Sequence, residues 1–321
     1  MLVCSVSQLA RRAAIVADLA EATAALDSPG TGNIVFATLV DDPASVQDRV
    51  DAYRGQIMLE AASASETINA GSAYAASVVE AAAATETSAS VGPVGDPYWS
   101  SVKLLLGFEG ADASTGSPGM TDESSTAKGT ATVFAQAQID TAQFKFGASS
   151  LLLDGTLDRV RFAGHSDFTL SNQPFTLECW IRPTIVTGGA NRFVCACWEG
   201  AGTLSWVFYQ FNGEMWLNVS TNGTTSIALL GGGAMTANTW HAVCVDFNGS
   251  KYRIYINGAM VASSTSLQTI SGSNTTLTIG ASTTSGTSAF SGWIDEVRLT
   301  KAARYASDSG YTVSTTAFPR F

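Results

Sequence analysis

The sequence predicts a mainly-β protein, an antiparallel β-sandwich or barrel preceded by an alanine-rich N-terminal region. Three observations carry this. Four Asn-Gly pairs, Asn212-Gly213, Asn222-Gly223, Asn248-Gly249 and Asn257-Gly258, follow one another closely, and Asn-Gly adopts the positive φ that tight hairpins need. The runs around them alternate: Tyr252, Ile254 and Ile256 against Lys251, Arg253 and Tyr255, with Phe175, Leu177, Cys179 and Ile181 on one side of their run and Val243, Val245 and Phe247 on one side of theirs. Such alternation makes a sheet with one dry face. Strand-like runs recur about every ten residues with little helix between them, and stacking or closing the sheets is the physical solution.

Ahead of these runs, residues 5–26 read as a helix. Val6, Leu9, Ala13, Val16, Ala20 and Ala24 recur at three-to-four spacing, Ser5 or Ser7 can cap the start, and Asp27-Ser28-Pro29-Gly30 stops it. Its stripe of small side chains buries little area, so a partner helix or subunit is implied. A repeat of about 20 residues then occupies 38–90, with Leu39-Val40-Asp41, Leu59-Glu60-Ala61-Ala62 and Val79-Glu80-Ala81-Ala82 in equivalent places. It reads either as stacked units that cannot close a core alone or as an alanine-rich linker, and helix against strand stays open. Two prolines and two glycines in residues 88–97 mark a linker. The expected division is an attachment and oligomerisation region at 1–95, trimeric or dimeric, and a β domain at 96–321, with two facing sheets over 98–319.

Composition fits this division. The 321 residues are 45% apolar and 9% aromatic, enough for a core and, at about 150 residues per domain, for two domains. Only 14% are charged and the net charge is −10; without clustered Lys and Arg, nucleic-acid binding is excluded. Residues 1–95 carry 11 acids and 4 arginines, net −7, against 16 acids and 13 bases, net −3, in 96–321. No run of about 18 apolar residues and no charge-then-apolar leader occurs, so neither membrane insertion nor ordinary N-terminal export is expected. Cys179, Cys195, Cys197 and Cys244 lie in strand-like runs and read as small buried hydrophobes; Cys4 stands apart and could bridge to a neighbouring subunit.

Four stretches together resemble the laminin-G-like, concanavalin A-like jelly-roll superfamily: SSLLLDGT at 149–156, FTLECWIRP at 175–183, TWHAV at 239–243 continuing to IYING at 254–258, and GWIDEVRL at 292–299. SVKLLLGFEG at 101–110, AQFKFG at 142–147 and KAARY at 301–305 resemble copies of this domain in tailed-bacteriophage structural proteins. The resemblance implies a jelly-roll β-sandwich and a non-enzymatic virion protein: a decoration, fibre, neck or tail appendage on the particle surface. Residues 1–95 would join other virion proteins, and the jelly roll would recognise a surface or host glycan. A bacterial cell-surface lectin-like adhesin is the alternative, and a degenerate glycan hydrolase the third reading.

Glycoside hydrolysis needs paired carboxylates roughly 5–9.5 Å apart, and the E-x-D-x-x-E pattern of glycanases on this fold is missing; no E-x-D occurs anywhere in the chain. G-x-S-x-G, a phosphate-binding glycine loop and zinc-ligand spacing are also missing. Of the two histidines, His241 follows Trp240 at a strand start and reads as structural. The resemblance implies a structural Ca²⁺ held by Asp295, Glu109 and the carbonyl of Gly147, since calcium takes carboxylate and carbonyl oxygens; otherwise Asp295 caps a turn and pairs with Arg298. Trp198, Trp206, Tyr209, Phe211 and Trp216 lie in consecutive strands and are candidates either for sugar stacking or for the core.

Overall fold

The computed structural model describes residues 95–273 and 275–321. The helix expected at 5–26, the repeats at 38–90, Cys4 and the attachment role of the N-terminal region lie outside the described residues, and the boundary expected within 88–97 falls at their edge.

Among the described residues the strands are β1 (Val102–Leu106), β2 (Thr132–Phe134), β3 (Gln138–Asp140), β4 (Ser150–Asp154), β5 (Arg159–Phe162), β6 (Phe175–Pro183), β7 (Arg192–Trp198), β8 (Leu204–Phe211), β9 (Glu214–Val219), β10 (Ile227–Gly232), β11 (His241–Phe247), β12 (Tyr252–Ile256), β13 (Ala259–Ser264), β14 (Leu277–Ile279) and β15 (Ser291–Thr300). They form two antiparallel sheets. One runs β13-β12-β11-β6-β15-β4-β3, with β1 also paired to β15; the other runs β10-β9-β8-β7-β14-β5-β2. The mainly-β sandwich expected from the alternation is what the described residues form.

Alternation decides the layers. Phe175, Leu177, Cys179 and Ile181 of β6, Val243, Val245 and Phe247 of β11, and Tyr252, Ile254 and Ile256 of β12 point into one core. Trp206 and Phe208 of β8 and Met215, Leu217 and Val219 of β9 meet them from the second sheet. The four strand cysteines are buried free thiols, and burial pushes their ionisation up, so they act as packing groups. His241 is also buried; its ring nitrogens contact Thr236 and Asn257.

The Asn-Gly pairs use two devices. Asn212-Gly213 and Asn257-Gly258 take positive φ at both residues, 48° and 82°, and 51° and 80°, as a primed hairpin turn requires. At the other two pairs only the glycine is left-handed. There the asparagine side chain shapes the loop: Asn222 Oδ1 accepts the N–H of Thr224 and Thr225, and Asn248 Oδ1 those of Ser250 and Lys251.

The outer face of the β6-containing sheet is covered by the segment that follows β15. Tyr305 and Tyr311 stack at 3.6 Å between centroids, and Tyr255 meets Tyr311 edge-on at 5.2 Å. Beneath them lies a buried charge network. Arg298 binds Glu178 Oε1 (2.8 Å) and Asp96 Oδ2 (3.0 Å), Arg304 binds Asp96 Oδ2 (2.6 Å), and the Tyr305 hydroxyl donates to Glu178 Oε2 (2.6 Å). Burial would raise the Asp96 carboxyl, but the hydrogen bonds of Arg304 and Tyr98 and both arginine charges hold it below the usual range. The Asp96 N–H also donates to the Phe321 carbonyl at 2.7 Å. Asp96, Arg320 and Phe321 thus belong to the domain, within the bounds expected at 96–321, while the strands themselves lie between Val102 and Thr300.

Candidate functional site

The outer face of the β7–β8–β9 region carries a second cluster: Phe193, Ala196, Val207 and Tyr209, with Trp198, Phe211 and Trp216 half-buried against it. Register places Phe193, Tyr209, Trp216 and Gly231 in one row across β7, β8, β9 and β10, and Ala196, Val207, Asn218 and Ala228 in the next. Trp206 is not part of this face. It points inward, fully buried, and its indole N–H donates to the Phe168 carbonyl at 2.8 Å. Of the five rings considered from sequence, four therefore share the outer surface and one fills the core.

Trp216 is held flat. A Cβ at Gly231 would collide with the ring-fusion carbons Cδ2 and Cε2 of Trp216, so the indole lies directly on that glycine. Its N–H donates to Glu214 Oε2 at 2.9 Å, which fixes the ring's rotation. Beside it the Tyr209 hydroxyl donates to Asn218 Oδ1 at 3.1 Å, and Asn218 Nδ2 donates to Ser226 Oγ at 3.2 Å. Gly231, Glu214 and Asn218 were not singled out in the sequence; the cross-strand register is what joins them to the ring. A flat indole beside an oriented amide can stack on an apolar ring face while hydrogen-bonding its edge.

The three residues expected to hold a cation converge on one loop, residues 145–148. Asp295 Oδ2 accepts the N–H of Lys145 (2.8 Å) and Phe146 (3.1 Å). Glu109 Oε2 accepts the Ala148 N–H at 3.0 Å. Gly147, at φ 66°, has no room for a side chain because the Glu109 carboxylate occupies the place of its Cβ. A bulge in β15 builds the site: one extra residue stands opposite β6 between Asp295 and Arg298, and Glu296 takes φ 50°. Both carboxylates thereby leave the core between Ile294 and Val297. Glu296 takes Arg320 at 2.7 Å, whereas Asp295 Oδ1 is buried with no hydrogen-bond partner. Burial raises the Asp295 carboxyl to about 7 despite the two backbone donors. Arg298 binds Glu178 and Asp96, so the alternative pairing with Asp295 is not formed. Among the described residues no group of three or more His, Cys, Asp and Glu side chains gathers; the oxygens calcium would take are here the carboxylates of Asp295 and Glu109, both of which accept backbone N–H groups of this loop.

Comparison with known proteins shows the fold. A mutant of HCR/D superposes with a TM-score of 0.50 at 13% identity, covering 65% of this chain and 50% of that one. The botulinum neurotoxin serotype D binding domain gives 0.48 at 12% identity, covering 65% and 50%. Domain 4 of AbnA, an extracellular arabinanase from Geobacillus stearothermophilus, in complex with arabinotriose, gives 0.45 at 18% identity, covering 65% and 96%. The chain thus spans about half the length of the first two. No curated protein matches it. Residues 154–308 match the family described as the Concanavalin A-like lectin/glucanases superfamily, which is what this part of the chain is similar to.

Proposed function

We propose that the domain is a non-enzymatic, lectin-like recognition module whose β7–β10 outer face binds an extended glycan. The observation that carries this reading is Trp216, laid flat on Gly231 and locked by Glu214, next to Tyr209 and Asn218. A sugar's C–H face stacks on the indole while Asn218 reads hydroxyls. Glu214, the carboxylate beside the ring, is engaged by the indole N–H rather than paired with a second acid, which supports binding over hydrolysis. The setting we infer is a virion: a phage decoration, fibre or appendage protein, joined to other virion proteins and to copies of itself through residues 1–95. The phage-like stretches 101–110, 142–147 and 301–305 support it. A structural Ca²⁺ would be held by Asp295, Glu109 and the Gly147 carbonyl, with the orphaned Asp295 Oδ1 as support.

The test is a glycan array with the full chain, followed by titration of Trp216→Ala and Gly231→Ala. The glycine variant keeps the ring but lifts it off the sheet. Both are expected to weaken binding about tenfold or more, as loss of a central aromatic anchor does. Wild-type affinity in both variants would remove this face from recognition. Antibody labelling of particles tests the virion setting, and unlabelled particles would overturn it.

A further inference from the structure

The same outer face ends, beyond β14, in a corner with chemistry unlike its aromatic centre. Arg161 of β5 lies in register with Thr278 of β14, which pairs with Ala196 of β7; that row continues through Val207 to Asn218. Four strand spacings separate Arg161 from Asn218, roughly 19 Å at about 4.8 Å each. Arg159, two residues away on the same strand, shares this face.

Both guanidinium groups crowd onto one ring. Arg159 Cζ lies 4.1 Å and Arg161 Cζ 4.4 Å from the centroid of Phe134 on β2. Neither makes an ion pair among the described residues; Lys103, Lys145, Arg182, Arg192 and Lys301 make none either, but only here do two arginines share one ring. Arg159 donates to the carbonyls of Leu157 (2.9 Å) and Thr284 (2.8 Å), but its Nε is buried and unpartnered in a side chain whose residue is only 7% exposed. The nearby carboxylate, Glu199, is occupied by the backbone N–H groups of Thr284 and Ser285. Burial and the charge of Arg161 both push the Arg159 ionisation down, and Glu199 offsets this only in part. Two like charges sharing one face are costly when their counter-charge, Glu199, offsets them only in part, and an anion relieves that cost.

The corner is also rigidly built. Leu157 takes φ 65°, a conformation that bulky residues avoid, while leaving 49% of its surface exposed. Its carbonyl holds Arg159, and Gly286 packs so closely on Leu157 and Arg159 that a Cβ there would lie 2.5 Å from Arg159 Nη1. An exposed apolar residue whose carbonyl holds Arg159, next to a planar cation pair that Glu199 offsets only in part, suits a ligand with an apolar ring and an anionic substituent.

We propose that Arg161 and Arg159, seated on Phe134 and flanked by Leu157, form a subsite for the anionic group of an acidic glycan. This rests on the glycan-binding reading of the face and deepens it. The ligand is an extended acidic polysaccharide, with one residue near Trp216 and an anionic one several residues along at Arg161. Carboxylate and sulfate share the required chemistry.

The experiment titrates the full chain with three soluble probes: polygalacturonate for carboxylate, dextran sulfate for sulfate, and unmodified dextran as the neutral polymer. Wild type is compared with Arg161→Gln and Arg161→Lys, with thermal melts confirming that each variant folds. An acidic probe is expected to bind at least about tenfold more tightly than dextran, with affinity falling as salt rises. Arg161→Gln should remove that preference and Arg161→Lys restore part of it; whichever acidic probe loses more identifies the group. Dextran or neutral array glycans bound as well as the acidic probes, or a preference unchanged in Arg161→Gln, would overturn the subsite and leave the Trp216 platform standing. No binding to any probe or to the array would overturn both.

Discussion

Replacing Asp96 with asparagine removes one charge from the most buried ion network described in the domain. The carboxylate faces Arg298 at 3.0 Å and Arg304 at 2.6 Å, with both arginine side chains almost fully buried. Asparagine keeps an acceptor for the Tyr98 N–H, bound at 2.8 Å by Oδ1, but turns an N–H donor toward both guanidinium groups in place of Oδ2, so the substitution removes the charge together with two hydrogen bonds. Arg298 retains Glu178, and Arg304 retains Oδ1 of residue 96 at 3.0 Å, the Thr300 hydroxyl at 2.7 Å and Glu178 at the longer distance of 3.6 Å, but both lose their bond to Oδ2. Breaking a buried pair by removing one partner costs about 3–5 kcal/mol, a large share of the roughly 5–15 kcal/mol that stabilises a domain. At about 2–4 °C per kcal/mol for a domain of this size, the melting temperature should fall by roughly 6–20 °C at neutral pH. The pH dependence has a definite sign. The folded carboxyl lies below its unfolded value of about 3.9, so its contribution is complete above about pH 4 and is lost as pH falls through the depressed folded value. The gap between wild type and variant should therefore be constant from neutral pH down to about 4 and close below it. A neutral-pH shift under about 2 °C, too small for a broken buried pair, or a gap that persists in strong acid would refute the network's role.

Four further outcomes follow from the same geometry. The fragment 95–321 should melt well above 98–319, because the shorter one lacks Asp96 and Arg320; equal melts in differential scanning calorimetry would contradict this. Chelation with EDTA should lower the melting temperature, through a loss of about 2.7 kcal/mol of stability if calcium stands at a hundred times its dissociation constant, and Asp295→Asn should abolish the EDTA effect; identical melts with and without EDTA would exclude the cation. Gly147→Ala should destabilise by about 1–3 kcal/mol in urea titration, through its left-handed backbone and its collision with Glu109. The thiols of Cys179, Cys195, Cys197 and Cys244 should react with a chromogenic disulfide reagent only on unfolding, and rapid labelling in native buffer would refute their burial.

The fold was legible where polar and apolar residues alternate. In β12 and the residue before it, Lys251 and Arg253 alternate with Tyr252 and Ile254, and the layer follows, although Arg253 is itself buried under the covering segment. In β8 the same rule is silent: Trp206 and Phe208 point inward while Val207 and Tyr209 point outward, and both sets are apolar. Sequence alternation therefore could not separate Trp206 from Trp216 as core and surface. What separates them is the partner across the strand, and Gly231 opposite Trp216 is the signal in hindsight. Asp295, Glu109 and Gly147 were reachable through family resemblance, although the bulge that frees Asp295 from the core has no periodic trace. The Asp96–Arg298 contact spans 202 positions, and the covering segment after β15 is polar and aperiodic, so neither could be anticipated from local pattern.

The adjacency of Asp96 and Phe321 has a mechanical consequence. Tension entering through residue 95 meets the domain at Asp96, where the backbone is pinned to Phe321 and the side chain to Arg298 and Arg304. Load is shared between a main-chain hydrogen bond and two ion pairs on the outside of the β6-containing sheet, and Arg298 passes it into β15, a central strand. Both sheets' hydrogen-bond ladders lie downstream of that clamp. The domain should yield first by peeling residues 95–98 from the sheet, with the β7–β10 face still folded.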